Sequence, residues 1–120
     1  MTEAPRGERA TLSGTVVYRE RMALPVNATI DVRLLDVSLQ DAPSKVLAQQ
    51  TIEAAGKSVP IPYGLDYDPS QVRDGMSYAV RAEIRSADGK LLWTTDTVHP
   101  VLTRGAPNAD VEIRVVRVGG

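Results

Sequence analysis

MSYAVRAEIRSADGKLLWTTDTV, residues 76–98, decides the fold. Its first half alternates: Met76, Tyr78, Val80, Ala82 and Ile84 share one face, and Ser77, Arg81, Glu83 and Arg85 share the other. Successive side chains of a strand leave opposite faces, so this period of two with charges on one side predicts a strand buried on one face. Ala87-Asp88-Gly89-Lys90 then supplies Asp-Gly turn chemistry before LLWTTDTV, which is β-branched and aromatic. Together they predict an antiparallel hairpin.

Working outward, TLSGTVVY (Thr11–Tyr18) sets Leu12, Gly14 and Val16 against Ser13, Thr15 and Val17, and reads as a strand. ATIDVRLLDVS (Ala28–Ser38) alternates Ile30, Val32 and Leu34 with Asp31, Arg33 and Leu35 and predicts another. SKVLAQQTIEAA (Ser44–Ala55) is ambiguous. Its Ala, Gln, Leu and Glu favour helix, with Ser44 as an N-cap, whereas as a strand it places Val46, Ala48, Gln50 and Ile52 together.

In SVPIPYGLDY (Ser58–Tyr67), Pro60 and Pro62 cannot donate to a ladder, which sends the segment to a sheet edge. Asp68-Pro69-Ser70-Gln71 joins an N-cap residue to proline at the first helical position and predicts one short helical turn near 69–73, with Asp68 as a structural cap. In DVEIRVVRV (Asp110–Val118), Val111, Ile113 and Val115 share a face until Val116 and Val118 shift parity, which predicts a bulge near 115–116. The sum is about seven short strands in a two-sheet antiparallel β-sandwich of the immunoglobulin or transthyretin kind.

A chain of 120 residues holds one modest core. Residues 1–9 read as a polar, flexible leader and 10–120 as a single domain. With no Phe and only Tyr18, Tyr63, Tyr67, Tyr78 and Trp93 as aromatics, the core must be aliphatic. The net charge of −1, spread along the chain, gives no basic stripe for phosphates, so no nucleic acid partner is expected. Having no cysteine excludes a disulfide, a thiolate nucleophile and a cysteine-based metal site. No apolar run is long enough to span a bilayer, and no signal-like stretch opens the chain.

His99 is the only histidine. No nucleophile motif accompanies it, so it reads as a partly exposed loop residue and no catalytic residues are assigned. Asp66, Asp68 and Asp74 are carboxylates near one another in sequence, but their spacing lacks the alternation that wraps a loop around calcium, and neither metal nor cofactor is expected. Asn27-Ala28-Thr29 matches a glycosylation sequon, a short match common by chance. Trp93 is either core packing or the anchor of a binding surface, with core favoured; Tyr63 and Tyr67 are the other aromatics that such a partner or ligand surface would use.

The segments YRERMALP (Tyr18–Pro25), VRLLDVSLQDAP (Val32–Pro43), VPIPYGLDYDP (Val59–Pro69), YAVRAEI (Tyr78–Ile84) and LLWTTDTVHPVLTRGAP (Leu91–Pro107) resemble the YbaY/YscW-like lipoprotein family. The resemblance runs from about Leu12 to Val118, and "RLLDVSLQDAP" and "TTDT…PVLTRG" are its most specific blocks. It implies a β-sandwich borne on a bacterial envelope lipoprotein, and it turns Ser44–Ala55 toward strand. It implies no catalytic residues. YscW-type members act as pilotins or chaperones that help a type III secretion secretin reach or assemble in the outer membrane, whereas the YbaY type, which this sequence resembles more, is largely uncharacterised.

A lipoprotein needs a signal ending in an acylated cysteine, which this sequence does not contain. The expectation is therefore the cell envelope or periplasm if a lipid anchor was trimmed away, or the cytoplasm if residue 1 is the native start. The functional expectation is a non-enzymatic, monomeric domain that binds or helps assemble an envelope or outer-membrane protein. The alternative is a carbohydrate or small-ligand binding module.

Overall fold

The structure is a computed structural model that describes residues 10–38, 45–73, 75–96, 99–103, 105–107 and 109–118. The leader expected at 1–9, and Asp74 of the calcium reading, lie outside the described residues. In chain order the strands are β1 (Ala10–Val17), β2 (Thr29–Asp36), β3 (Lys45–Glu53), β4 (Ile61–Tyr67), β5 (Tyr78–Arg85), β6 (Leu91–Thr94), β7 (His99–Val101), β8 (Val111–Arg114) and β9 (Val116–Arg117). They form two sheets, a small one ordered β4-β1-β8 and a large one ordered β3-β2-β5-β6-β9, in which β7 also pairs with β5.

The alternating strands expected at the centre are there. β5 pairs antiparallel with β2 along its whole length, Thr29 opposite Arg85 through Asp36 opposite Tyr78. Ile30, Val32, Leu34, Tyr78, Val80, Ala82 and Ile84 all enter the core between the sheets. From the small sheet Leu12, Val16, Ile61, Leu65 and Ile113 meet them, so the core is aliphatic with Trp93 as its largest side chain. On the outer face, Asp31–Arg33, Glu83–Arg85 and Glu112–Arg114 form ion pairs two residues apart along their strands. Such exposed pairs contribute little to stability.

Ser44–Ala55 resolves as β3 over Lys45–Glu53, antiparallel to β2. Its register shifts between Leu34 and Leu35, which leaves Val46 exposed and breaks the shared face expected for Val46, Ala48, Gln50 and Ile52. Leu35, expected outward with Asp31 and Arg33, is buried beside its ladder partner Ala79. Met76, expected inward, precedes the first paired residue of β5 and is exposed. The proline-bearing β4 is a sheet edge, as its missing donors require. The helical turn is a single 3-10 turn, Pro69–Gln71, capped by Asp68, whose Oδ1 accepts from Ser70 N–H at 2.9 Å. The Asp-Gly hairpin closes through Ser86 N–H to Lys90 C=O at 2.9 Å, with Gly89 at φ +88°.

Two departures from the expected pattern shape the molecule. The single strand expected over residues 91–98 ends at Thr94, and His99–Val101 resumes pairing along the other half of β5. At the carboxyl end the strand does not merely bulge. Val111–Arg114 pairs parallel with β1, and after Val115 the chain moves to the large sheet, where Val116 and Arg117 pair with Thr94 and Trp93. That exchange of sheets is the physical reason for the parity shift read in the sequence. It also makes β1–β8 a parallel exception in an otherwise antiparallel sandwich.

β8 lies so close to β1 that a Cβ built on Gly14 would stand 1.9 Å from the Val111 carbonyl oxygen. Tyr63, paired opposite Gly14 on β4, donates its hydroxyl to that same oxygen at 2.8 Å. Residue 14 must therefore be glycine. Gly14→Ala is expected to cost about 3 kcal/mol through forced separation of β1 and β8, read as a lowered urea midpoint.

Candidate functional site

The two sheets meet along two seams. At the first, β3 and β4 face one another, and Gln50 spans them by accepting from Gly64 N–H at 2.8 Å. That seam is bridged directly, and Pro62, two residues away on the same strand parity as Gly64, has no N–H to offer.

The second seam runs between the β6–β7 and β8–β9 segments, and it is closed at one end only. At the closed end Trp93 and Thr94 pair with Arg117 and Val116. Trp93, 1% exposed, stacks on Tyr18 with ring centroids 4.6 Å apart and 19° between planes. Its Nε1 donates to Glu20 Oε1 at 3.1 Å, and the Arg117 guanidinium lies over the ring at 4.9 Å. The Trp93 N–H, helped by Arg117 and Arg19, holds the Glu20 carboxyl below the usual carboxylate range. Tyr18 donates to the Met22 carbonyl, and its hydroxyl titrates above the ordinary tyrosine value because it is buried and near Glu20.

Farther along, Arg114 N–H donates to His99 Nε2 at 3.2 Å. His99 is therefore a half-buried residue opening β7 and bridging to β8, and not the loop histidine the sequence suggested. Beyond this bridge β7 and β8 part, and an open groove of about 780 Å³ lies between them. Val37, Ser77 and Tyr78 line it from the large sheet and Val111 and Glu112 from β8, with His99 and Pro100 along β7. Thr103, Gly105, Ala106 and Pro107 form its rim.

The walls are held by local hydrogen bonds. Ser38 Oγ accepts from Ser77 N–H at 2.9 Å while Val37 N–H donates to the Ser77 carbonyl at 2.9 Å, which fixes the Val37 wall. Hydrogen bonds from Ser38, side chain and backbone, keep the Asp36 carboxyl below its ordinary value. The Tyr78 hydroxyl accepts from Arg73 N–H at 2.9 Å and donates to the Gln71 carbonyl at 3.2 Å, tying the 3-10 turn to the groove. The rim folds on itself through Leu102 N–H to Pro107 C=O at 2.9 Å, and Thr103 Oγ1 donates to the Met76 carbonyl at 2.7 Å. Leu102 and Asp110, at the two ends of the rim, both have positive φ, a conformation that costs a residue with a side chain of order 1 kcal/mol.

The aromatic residues singled out in the sequence do not form one surface. Trp93 and Tyr63 are buried, so neither presents a ring for stacking, and Tyr67 is half-buried beside Ala10 at the far end of the β1–β4 ladder. Asp68 is spent as the cap, while Asp66 accepts from Thr11 Oγ1 at 2.7 Å. Among the described residues no group of three or more His, Cys, Asp or Glu is arranged to hold a metal ion. Asn27 of the sequon sits exposed in a turn. Sequence reasoning missed the groove, because its walls come from four separate segments.

Residues 8–113 match the family model described as type III secretion system lipoprotein chaperone, YscW. The chain belongs to that lipoprotein chaperone family. A lipoprotein of Escherichia coli K12 described as uncharacterised, YbaY, is 40% identical over 112 residues, covering 93% of this chain. The chain spans 58% of that relative's length. Among solved structures, an alternative pilotin from the type II secretion system of Vibrio cholerae superposes with a TM-score of 0.88 at 40% identity, covering 94% of this chain and all of the pilotin chain. Fold and family thus agree with the resemblance read from the sequence. Among the described residues no helix is long and apolar enough to cross a membrane.

Burial raises the Tyr63 hydroxyl well above its ordinary value of 10.0. Below pH 10 the folded and unfolded states both keep this proton. As the pH rises through the unfolded value the unfolded chain loses it while the folded chain does not, so stability falls with rising pH. Tyr63→Phe is expected to lose about 1 kcal/mol at neutral pH, from the unmade bond to Val111, and to decline less steeply than the parent between about pH 9 and 11 in thermal melts.

Proposed function

We propose that this domain is a pilotin-like chaperone of the bacterial cell envelope that binds a secretin-type outer-membrane subunit, and that it is not an enzyme. The observation that carries the reading is the likeness to the alternative pilotin, which extends over the whole of that solved chain at 40% identity. The lipoprotein relative supports an envelope location, with the domain held by an acyl anchor attached ahead of it.

The groove between β7 and β8 is the surface this function would use. It has an apolar floor at Tyr78 and Val111 and a rim built on strained backbone, a combination suited to receiving a partner's side chains. The half-exposed position of Ala106 on the rim allows the groove to be filled without disturbing the core. The sugar-binding alternative finds less support, since Trp93 and Tyr63 are buried.

The test is co-purification of the chain, carried behind a lipoprotein leader, with each secretin-type subunit of its own organism from detergent-solubilised envelopes. One such subunit is expected to co-elute and to be lost from the outer-membrane fraction when the chain is deleted. Ala106→Arg is expected to reduce co-elution at least tenfold with an unchanged melting temperature. Normal placement of every secretin in the deletion strain, with none co-eluting, contradicts the proposal.

A further inference from the structure

We propose that an extended segment of the partner completes the β7–β8 seam by adding to β8 as a strand through the peptide group of Glu112. This rests on the groove being the partner site and names the chemistry of its occupant.

The strand parity supplies the reason. Val115 N–H donates to the Val17 carbonyl at 2.9 Å, and in a parallel ladder alternate residues turn both N–H and C=O to the same side. Val111, Ile113 and Val115 therefore face β1, and Glu112 and Arg114 turn their peptide groups toward the groove. The Arg114 N–H to His99 bond confirms that parity independently, and it leaves Glu112 as the residue whose peptide lies in the open part of the seam.

The opposite wall is unsuited to pairing. Ala82 exchanges hydrogen bonds with Thr95, so the even residues of β5 face β6 and β7. Tyr78 and Val80 thus bond to Val101 and His99, and Pro100 between them turns outward without an N–H. A segment in the gap gains its backbone hydrogen bonds from β8 alone and packs its other side against the Pro100 wall. Because alternate side chains of a strand point to opposite faces, every second residue would enter toward Tyr78 and Val111 and must be apolar. Asp110, exposed at the rim, favours a lysine or arginine beside it.

The probe is a heptapeptide alternating Val and Lys, titrated into the full ¹⁵N-labelled chain together with seven versions each N-methylated at one amide. Binding is expected to slow exchange of the Glu112 amide at least tenfold. N-methylation is expected to weaken binding at least fivefold at alternate positions and to leave the intervening ones within twofold. Glu112→Pro, which removes the groove-facing donor and spares the β1 ladder, is expected to abolish binding with the circular dichroism unchanged; the N-methyl series stands even if that variant does not fold. No binding at millimolar peptide, an unchanged Glu112 amide, or sensitivity without alternation, as a helical occupant would give, overturns strand addition. Co-purification of the secretin subunit in the face of such a result leaves the chaperone reading intact and removes only this mode of binding.

Discussion

Strand β8 can lie against β1 only because residue 14 has no side chain, and the rest of the molecule depends on that approach. With Val111 seated on Gly14 and held by the Tyr63 hydroxyl, the chain has reached the small sheet at the right height to cross to the large one after Val115. The last strand then stitches both sheets together. Trp93 stacked between Tyr18 and Arg117 secures the stitch on the large-sheet side, where a buried indole contributes apolar area and a cation–π contact at once.

The same geometry leaves a gap. β8 spends one edge on β1 over Val111–Arg114, and β7 is held by β5 in the other sheet; the two meet through the bond from Arg114 N–H to His99 and part beyond it. At the opposite seam Gln50 spans the two sheets. The groove is thus a consequence of how the chain closes its own sandwich, opened without cost to the aliphatic core. Under the proposed pilotin-like reading, it is the surface that would receive a partner.

Much of the fold was legible in the sequence because its signals are local. The alternation of Tyr78–Arg85, the Asp-Gly turn, Pro62 of β4 and the Asp68 cap each act within a few residues, and each is present in the structure. Ser44–Ala55 was not decided by periodicity, since its ladder to β2 and the register shift at Leu34–Leu35 are tertiary facts. The parity change at Val115–Val116 was visible, but its cause was not: a bulge and an exchange of sheets write the same pattern. His99 looked like a loop residue because its bond is to the backbone of a strand 15 residues away. Trp93 gave no direction by sequence alone, as both faces of LLWTTDTV are equally plausible, and its three partners lie at positions 18, 20 and 117.

β8 is paired on one side and open on the other, and residue-resolved amide hydrogen exchange of the unbound chain tests this most directly. The Val115 amide, bonded to Val17, is expected among the slowly exchanging group, with the Glu112 amide at least a hundredfold faster although only two residues separate them. Equal protection of the two would contradict an open seam and, with it, the groove.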